Sequence, residues 1–564
     1  MAQNLFNSVK GLKPKLNAFP SFTYRNDFTG RIGELIPCYI EHTVPGSHWR
    51  LSANALTRLT ALVAPIMDNV DQYVHFWKIP YRLLENGAFT KFVGGEIADD
   101  EYDPPYITGK GVSDYLATLA DQDQFNFILG NGALMDFLGW DSYYFSRNSQ
   151  VKTNIRELQA YAFLLLHWYI NEHIMPWESF QDDVEALLNA QGDASEAVSL
   201  FLYDLCKSQE SYAGFFPHGW QKDYFTSALP NVQEGEPVTF GMSGNAPVKV
   251  VGSGDFTLRG ENMSPGDELI SDEVVLIGDL SQDLQSGNLL LKGDSGPQTN
   301  YYHAALKSIQ GVEADLSEAT AISVNEFRVA NALQIFKERV MRFGHRSNEY
   351  YKGFFNVEPE DLRLQLPKYL GGGRIPVNIS DIEQTSATNE TSPQGNLAGK
   401  GTAVAGGFAG FSTFCSEECV IIGVTWLMPK QSWVNSMRRF KFKLNDRYDY
   451  FNPSFEHLGE QEIMKCEVFA GGSSDELGYT PRFAEYRFHQ NEVHGRFKDN
   501  LSFWHLGRMF LYAPSLNADF IYMQPAVFDR VFAVSGAEHF KCSMIFNVQA
   551  LNPISKYGTP MLLV

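Results

Sequence analysis

From Val420 onward the chain is a succession of short strand-like runs punctuated by Gly, Asn and Pro: Val420–Met428, Phe440–Leu444, Phe483–Phe488, Arg530–Val534 and Cys542–Val548. Many short strands separated by long segments constrain a chain to stack antiparallel sheets. The N-terminal region repeats the signal. Ile36, Cys38 and Ile40 alternate with Pro37, Tyr39 and Glu41, and Val44-Pro45-Gly46-Ser47 supplies a turn. Val70, Tyr73, Val74, Phe76 and Trp77 form an apolar strand before Pro80, while Leu56, Leu59, Leu62 and Val63 show a short helical spacing. The expected class is mainly β, a sandwich or jelly roll, with helices confined to insertions between strands. Aromatic content of 14% suits both strands and large interfaces.

Two helices stand out. Residues 154–172 start with Asn154 as a candidate N-cap and Glu157 three positions on. Leu158, Ala162, Leu165 and Tyr169 line one face, and Pro176 lies beyond the end. Asn325 to Arg342 repeats the pattern through Phe327, Ala330, Leu333, Ile335 and Phe336. Residues 176–216 carry eight acidic residues against one Lys, and residues 231–318 carry 14 against four Lys or Arg. The second stretch is Gly-rich, with strand-like runs at Val248–Val251 and Val274–Ile277. It reads as a β-rich surface insertion.

A net charge of -21 excludes a whole-protein basic field for nucleic acid but leaves room for local basic patches. Residues 1–31 form such a patch: Lys10, Lys13, Lys15, Arg25 and Arg31 face only Asp27. An arm of this kind can lie along a polyanion or thread under a neighbouring subunit; it equally fits a disordered terminus. Six cysteines are too few for a disulfide framework, and the Cys415/Cys419 pair lacks the partners of a zinc site, so reduced buried thiols are expected. No apolar run is long enough to span a bilayer and no signal peptide is visible, which predicts a soluble product without membrane insertion.

Enzyme motifs fail on spacing. Gly395 to Thr402 has three residues, not four, between its glycines, and Gly follows Lys400 where a phosphate loop needs Ser or Thr. Gly371-Gly372-Gly373 reads as a turn needing positive φ. His167 and His173 would sit about 120° apart on a helix, so they cannot share one metal from one face. His489 and His494 could meet on a hairpin but lack a third ligand. No nucleophile elbow is present, and no cofactor is expected. A β-sandwich glycoside hydrolase, or a carbohydrate-binding sandwich, is the alternative that sequence leaves open.

One basic constellation survives. If Arg438-Arg439-Phe440-Lys441-Phe442-Lys443-Leu444 is a strand, Arg439, Lys441, Lys443 and Arg447 share one face, and Phe440, Phe442 and Leu444 the other. Such a ribbon could neutralise phosphates while packing on a core, with Tyr448, Tyr450 and Phe451 stacking on unpaired bases. Its competing reading is a solvated strand face or a subunit salt-bridge surface. The candidate nucleic-acid contacts are therefore Arg438, Arg439, Lys441, Lys443 and Arg447, with Lys10, Lys13 and Lys15 of the arm.

Ordered tracts then resemble the major capsid proteins of small single-stranded-DNA bacteriophages, the gokushovirus-like Microviridae. Lys222-Asp223-Tyr224-Phe225-Thr226-Ser227-Ala228-Leu229-Pro230 carries the strongest resemblance. Others are Gly33–Pro37, Ile79–Leu83, Leu364–Gly373, Pro376–Ile379, Phe455–Gln461, Ala484–Arg487 and Pro553–Pro560. Regions near 85–150, 176–216 and 236–320 depart from the pattern.

The resemblance implies an eight-stranded antiparallel jelly roll of viral capsid type, with long loop insertions containing helices. It implies a structural protein without enzyme activity: sixty copies in a T=1 icosahedral capsid, a homo-oligomeric shell around circular single-stranded DNA. Residues 1–31 would be the arm, 32–235 with 321–564 the shell core, and 236–320 an outward protrusion serving host attachment to a surface receptor. A small basic DNA-packaging protein and pilot or spike-type minor virion proteins are the implied partners. The implied location is the virion, assembled in the bacterial host cytoplasm.

Overall fold

The computed structural model describes residues 15–85, 87–93, 102–120, 122–207, 215–235, 248–250, 257–260, 290–293, 300–308, 312–314, 324–343, 365–383, 397–444, 446–534 and 536–556. Two compact units emerge, Met1–Glu234 with Glu338–Val564, and Gly235–Lys337. In the second, Val248–Val250 pairs with Val312–Ala314, and Asn300–Ser308 pairs with both Leu290–Gly293 and Thr257–Gly260, all antiparallel. Val274–Ile277 lies outside the described residues.

Among the described residues, the main sheet of the first unit has nine strands. They are β1 (Asn17–Phe19), β2 (Tyr24–Gly30), β3 (Ile36–Thr43), β4 (Ser47–Leu59), β5 (Val70–Pro80), β6 (Lys368–Glu383), β7 (Leu397–Cys415), β8 (Cys419–Pro429) and β9 (Phe540–Asn552). One four-stranded sheet runs β2, β9, β4, β7, and the other runs β3, β8, β5, β6. They join at a corner, where residues 378–383 of β6 leave β5 and pair with 397–402 of β7. β1 and β2 are one edge strand in two pieces, broken by a 3-10 turn at Pro20–Phe22. Across the break the Thr23 hydroxyl accepts from Val548 N at 3.0 Å and reaches Val548 O at 3.3 Å, replacing the missing ladder bonds. Counted so, the strands number eight, and their order is that of a jelly roll.

Rings meet between the sheets: Tyr39 and Phe546 at 5.1 Å, Phe76 and Phe411 at 5.3 Å. A buried polar bridge crosses there too. Thr57 donates to Gln72 at 2.6 Å, and Gln72 donates to Thr425 at 3.3 Å. The outer faces differ. β8 is buried at every position and β5 at most, whereas β4 and β9 bury only alternate residues. The β3–β8–β5–β6 sheet is covered because the chain between β5 and β6 lays helices over it. These include α1 (Gly109–Leu119), α2 (Arg156–Leu164), α3 (Phe180–Asn189) and α4 (Ser195–Lys207). α2 passes into a π-helical turn, Leu165–Tyr169, that brings Trp168 within 4.8 Å of Trp77 and Tyr169 within 5.9 Å of Trp426. The second long insertion, residues 430–539, joins β8 to β9.

Several expectations need correction. Leu56 and Leu59 belong to strand β4, not a helix. Phe440–Leu444, Phe483–Phe488 and Arg530–Val534 are built on 3-10 turns, not strands. Phe483 sits at φ 63, a left-handed conformation no strand accommodates. The residue capping α2 is Ile155, with the Asn154 side chain accepting from Arg156 N at 3.3 Å. Gly371 to Gly373 lie inside β6 rather than in a turn. A Cβ on Gly373 would stand 2.1 Å from the Phe408 carbonyl oxygen, and one on Gly372 2.4 Å from that of Val74. Glycine is needed there because neighbouring backbone passes too close for any side chain.

Candidate assembly and nucleic-acid surfaces

Lys222–Pro230 clamps the two long insertions together. Asp223 Oδ1 accepts from Phe225 N at 3.0 Å, Thr226 N at 2.9 Å and the Thr226 hydroxyl at 2.9 Å. Its Oδ2 accepts from the buried Trp433 indole at 2.7 Å. Phe225 packs edge-on against Trp433 at 4.7 Å, and the Tyr224 hydroxyl donates to Glu467 at 3.0 Å. Behind Trp433 the Arg508 guanidinium is boxed by Trp220, Trp433, Phe510 and Phe520, with ring centroids 4.5 to 5.2 Å away. Arg508 Nη2 donates to the Phe520 carbonyl at 2.7 Å. Burial pushes the Arg508 pKa down to about 9 against the attraction of Asp223, so the cation persists at neutral pH.

The basic constellation is not a ribbon. Arg439–Lys441 is a 3-10 turn that disperses its cations. Arg439 is buried on Glu467 at 2.7 Å and also donates to the Glu462 carbonyl. Lys443 is buried on Glu485, beneath Tyr486 at 4.5 Å and Phe440 at 5.2 Å. Arg438 grips Glu492 through two nitrogens, at 2.5 and 3.0 Å. Lys441 and Arg447 are exposed, as is Lys15. Lys10 and Lys13 lie outside the described residues. What the loop presents to solvent is aromatic and apolar: Phe440, Leu444, Tyr448, Tyr450, Phe451 and Tyr486 are each about half exposed or more. Large apolar surface on a cluster whose inner charges are neutralised suits protein contact better than phosphate contact.

Sequence reasoning missed Glu467, Glu485 and Glu492, because nothing local marks a carboxylate more than twenty residues away as the partner of a cation. The other candidates hold separate places. His173 Nε2 lies 3.0 Å from the Met341 carbonyl, while His167 packs on Phe163. His494 leans on Glu492, and His489 on the carbonyl of Gln490. All six cysteines are buried and unbridged. Among the described residues no group of three His, Cys, Asp or Glu could hold a metal ion, and no helix is long and apolar enough to cross a membrane. An open groove of about 280 Å³ runs past Trp168, Glu172, Lys222 and Tyr522.

Residues 21–562 match the family described as "Capsid protein (F protein)". The chain is 29% identical to capsid protein VP1 of Bdellovibrio phage phiMH2K, over 98% of this chain and 96% of that protein. It is 26% identical to VP1 of Chlamydia phage 1, over 99% and 97%, and 25% identical to VP1 of Spiroplasma virus 4, over 94% and 92%.

Proposed function

We propose, for a chain that belongs to the phage capsid protein (F protein) family, that sixty copies assemble as a T=1 icosahedral shell around a circular single-stranded DNA genome. The observation that carries this reading is the jelly-roll strand order joined to full-length similarity with proteins named as phage capsid proteins. The chain then works as a virion subunit without catalysis, assembled in the bacterial host cytoplasm. The exposed aromatic residues at 440–486 serve as subunit contacts, where many modest interfaces are multiplied by closed symmetry.

Residues 236–320 project outward and take part in attachment to a host surface receptor; the -10 charge of residues 231–318 supports this by keeping particles apart. Lys441, Arg447 and the arm lysines Lys10, Lys13 and Lys15 reach toward the genome. A small basic packaging protein supplies the remaining countercharge, and pilot or spike-type minor proteins complete the particle. Deleting residues 241–319 tests the division of labour. Closed particles seen by negative-stain microscopy, with host adsorption lost, are expected. A folded subunit that no longer assembles would place the segment in the shell instead.

A further inference from the structure

Among the described residues, the outer face of the β2–β9–β4–β7 sheet is left uncovered by any insertion, as the burial alternation of β4 and β9 records. Pairing register fixes which residues point outward: even numbers on β4, odd numbers on β9 and β2, and Lys400 on β7 beside the Arg58 row. Among the described residues, the charged groups on that face are Arg25, Arg50, Arg58, Lys400, Lys541 and a single carboxylate, Asp27, which is held by Arg25 at 2.9 Å. A chain of net charge -21 thus gathers a net +4 on one flat surface.

The arrangement is costly in isolation. Arg58 and Lys541 are direct cross-strand partners, which puts their Cβ atoms about 5 Å apart. Lys400 lies one diagonal away, two residues from Thr402, the partner of Arg58. Like charges facing each other across an antiparallel pair destabilise it. No ion pair relieves Arg50, Arg58, Lys400 or Lys541 among the described residues, and all four are exposed. Arg50 extends the row, about 26 Å along β4 at about 3.3 Å per residue. Between the cations stand exposed apolar side chains, Leu56, Val404 and Ile545.

We propose that this sheet face is the genome-binding surface of the subunit, taking the phosphate backbone of single-stranded nucleic acid across Arg58, Lys541 and Lys400 and on toward Arg50. An anion between Arg58 and Lys541 removes their repulsion. Unpaired bases offer apolar faces to Leu56, Val404 and Ile545, which a duplex does not. The inference rests on the shell reading and moves the main polyanion contact from the 438–447 loop to the sheet.

The test uses the full-length unassembled subunit and a fluorescent thirty-residue oligothymidylate, with binding followed by anisotropy over a salt series. The triple variant Arg58→Gln, Lys400→Gln, Lys541→Gln removes three cations at exposed positions. Single-strand binding loses about 0.7 in log–log salt slope per phosphate contact. A slope about 2 shallower, and binding about a hundredfold weaker at 0.1 M salt, are expected. A second variant, Lys110→Gln with Lys152→Gln, removes two exposed cations of the helical insertion and should leave the slope nearly unchanged. An unchanged slope in the triple variant overturns the proposal, including the case where assembly fails instead because the face meets an acidic surface of another chain. Wild-type protein that binds the oligonucleotide as described but never closes into particles would defeat the shell reading alone.

Discussion

Replacing Asp223 by Asn keeps the size of the side chain and removes its charge. The carboxylate accepts from two backbone amides and the Thr226 hydroxyl on one oxygen, and from the Trp433 indole on the other. An amide has one acceptor oxygen. If that oxygen keeps the turn, the NH2 group faces the Trp433 N–H, donor against donor. The loss is one charge-assisted bond, about 1.5–3 kcal/mol, plus an unsatisfied buried donor, about 1–3 kcal/mol. Arg508 also loses the carboxylate that opposes its burial. A total near 3–5 kcal/mol, with partial relaxation, is expected to fall on the 430–539 insertion rather than on the sheets. Native-state hydrogen exchange of the free subunit reads it directly. The amides of Trp433, bonded to Asn491, and Arg508, bonded to Ser432, should lose about a hundredfold to several thousandfold in protection. Amides of β5 and β8 should keep theirs. Unchanged protection at Trp433 and Arg508 would refute the clamp.

Complete burial pushes the Glu34 carboxyl from 4.5 up to about 7. The folded state therefore binds the proton more tightly, and this contribution is fully present below about pH 4.5 and lost as the pH rises through about 7. Glu34→Gln should gain stability over wild type across that window, by about 3 kcal/mol at most; urea midpoints that shift equally at pH 5 and pH 8 would contradict it. Lys443→Met strands the buried Glu485 carboxylate and should cost about 3–5 kcal/mol, with much of it recovered by adding Glu485→Gln; a double variant no better than the single one would refute the pairing in denaturant titrations. Gly373→Ala drives a methyl group into the Phe408 carbonyl and should cost at least about 1–3 kcal/mol; a wild-type urea midpoint would show that β6 and β7 separate more easily than their spacing implies.

The strands that could be read from sequence are those whose pattern had one cause. Residues 36–40, 70–77, 420–428 and 542–548 alternate or run apolar because they line the sandwich, and each is a strand. β4 hid its period because Leu56 is apolar yet points to solvent, which with Leu59 and Leu62 imitates a helix. The 438–444 tract shows the opposite failure. Its alternation of cation and apolar residue looks like a half-wet strand, but Arg439 and Lys443 point inward to Glu467 and Glu485. Period two signals a strand only when the polar face meets water. Gly371 to Gly373 signalled a backbone constraint correctly, but a close strand crossing and a turn ask for the same residue. The Lys222–Pro230 tract marked the family, yet its task, holding Trp433 and the Arg508 box, needs partners more than two hundred residues away. The basic sheet face was equally hidden, since Arg58, Lys400 and Lys541 meet only through register.

The shell itself is tested most directly by the mass and symmetry of what the purified chain forms when expressed with its phage partners. Sixty copies of a 63.5 kDa chain give a protein shell of about 3.8 MDa with icosahedral symmetry. Charge-detection mass spectrometry with electron microscopy should find closed particles of that mass. A monodisperse monomer or dimer that never closes, under any salt or DNA condition, would contradict the account.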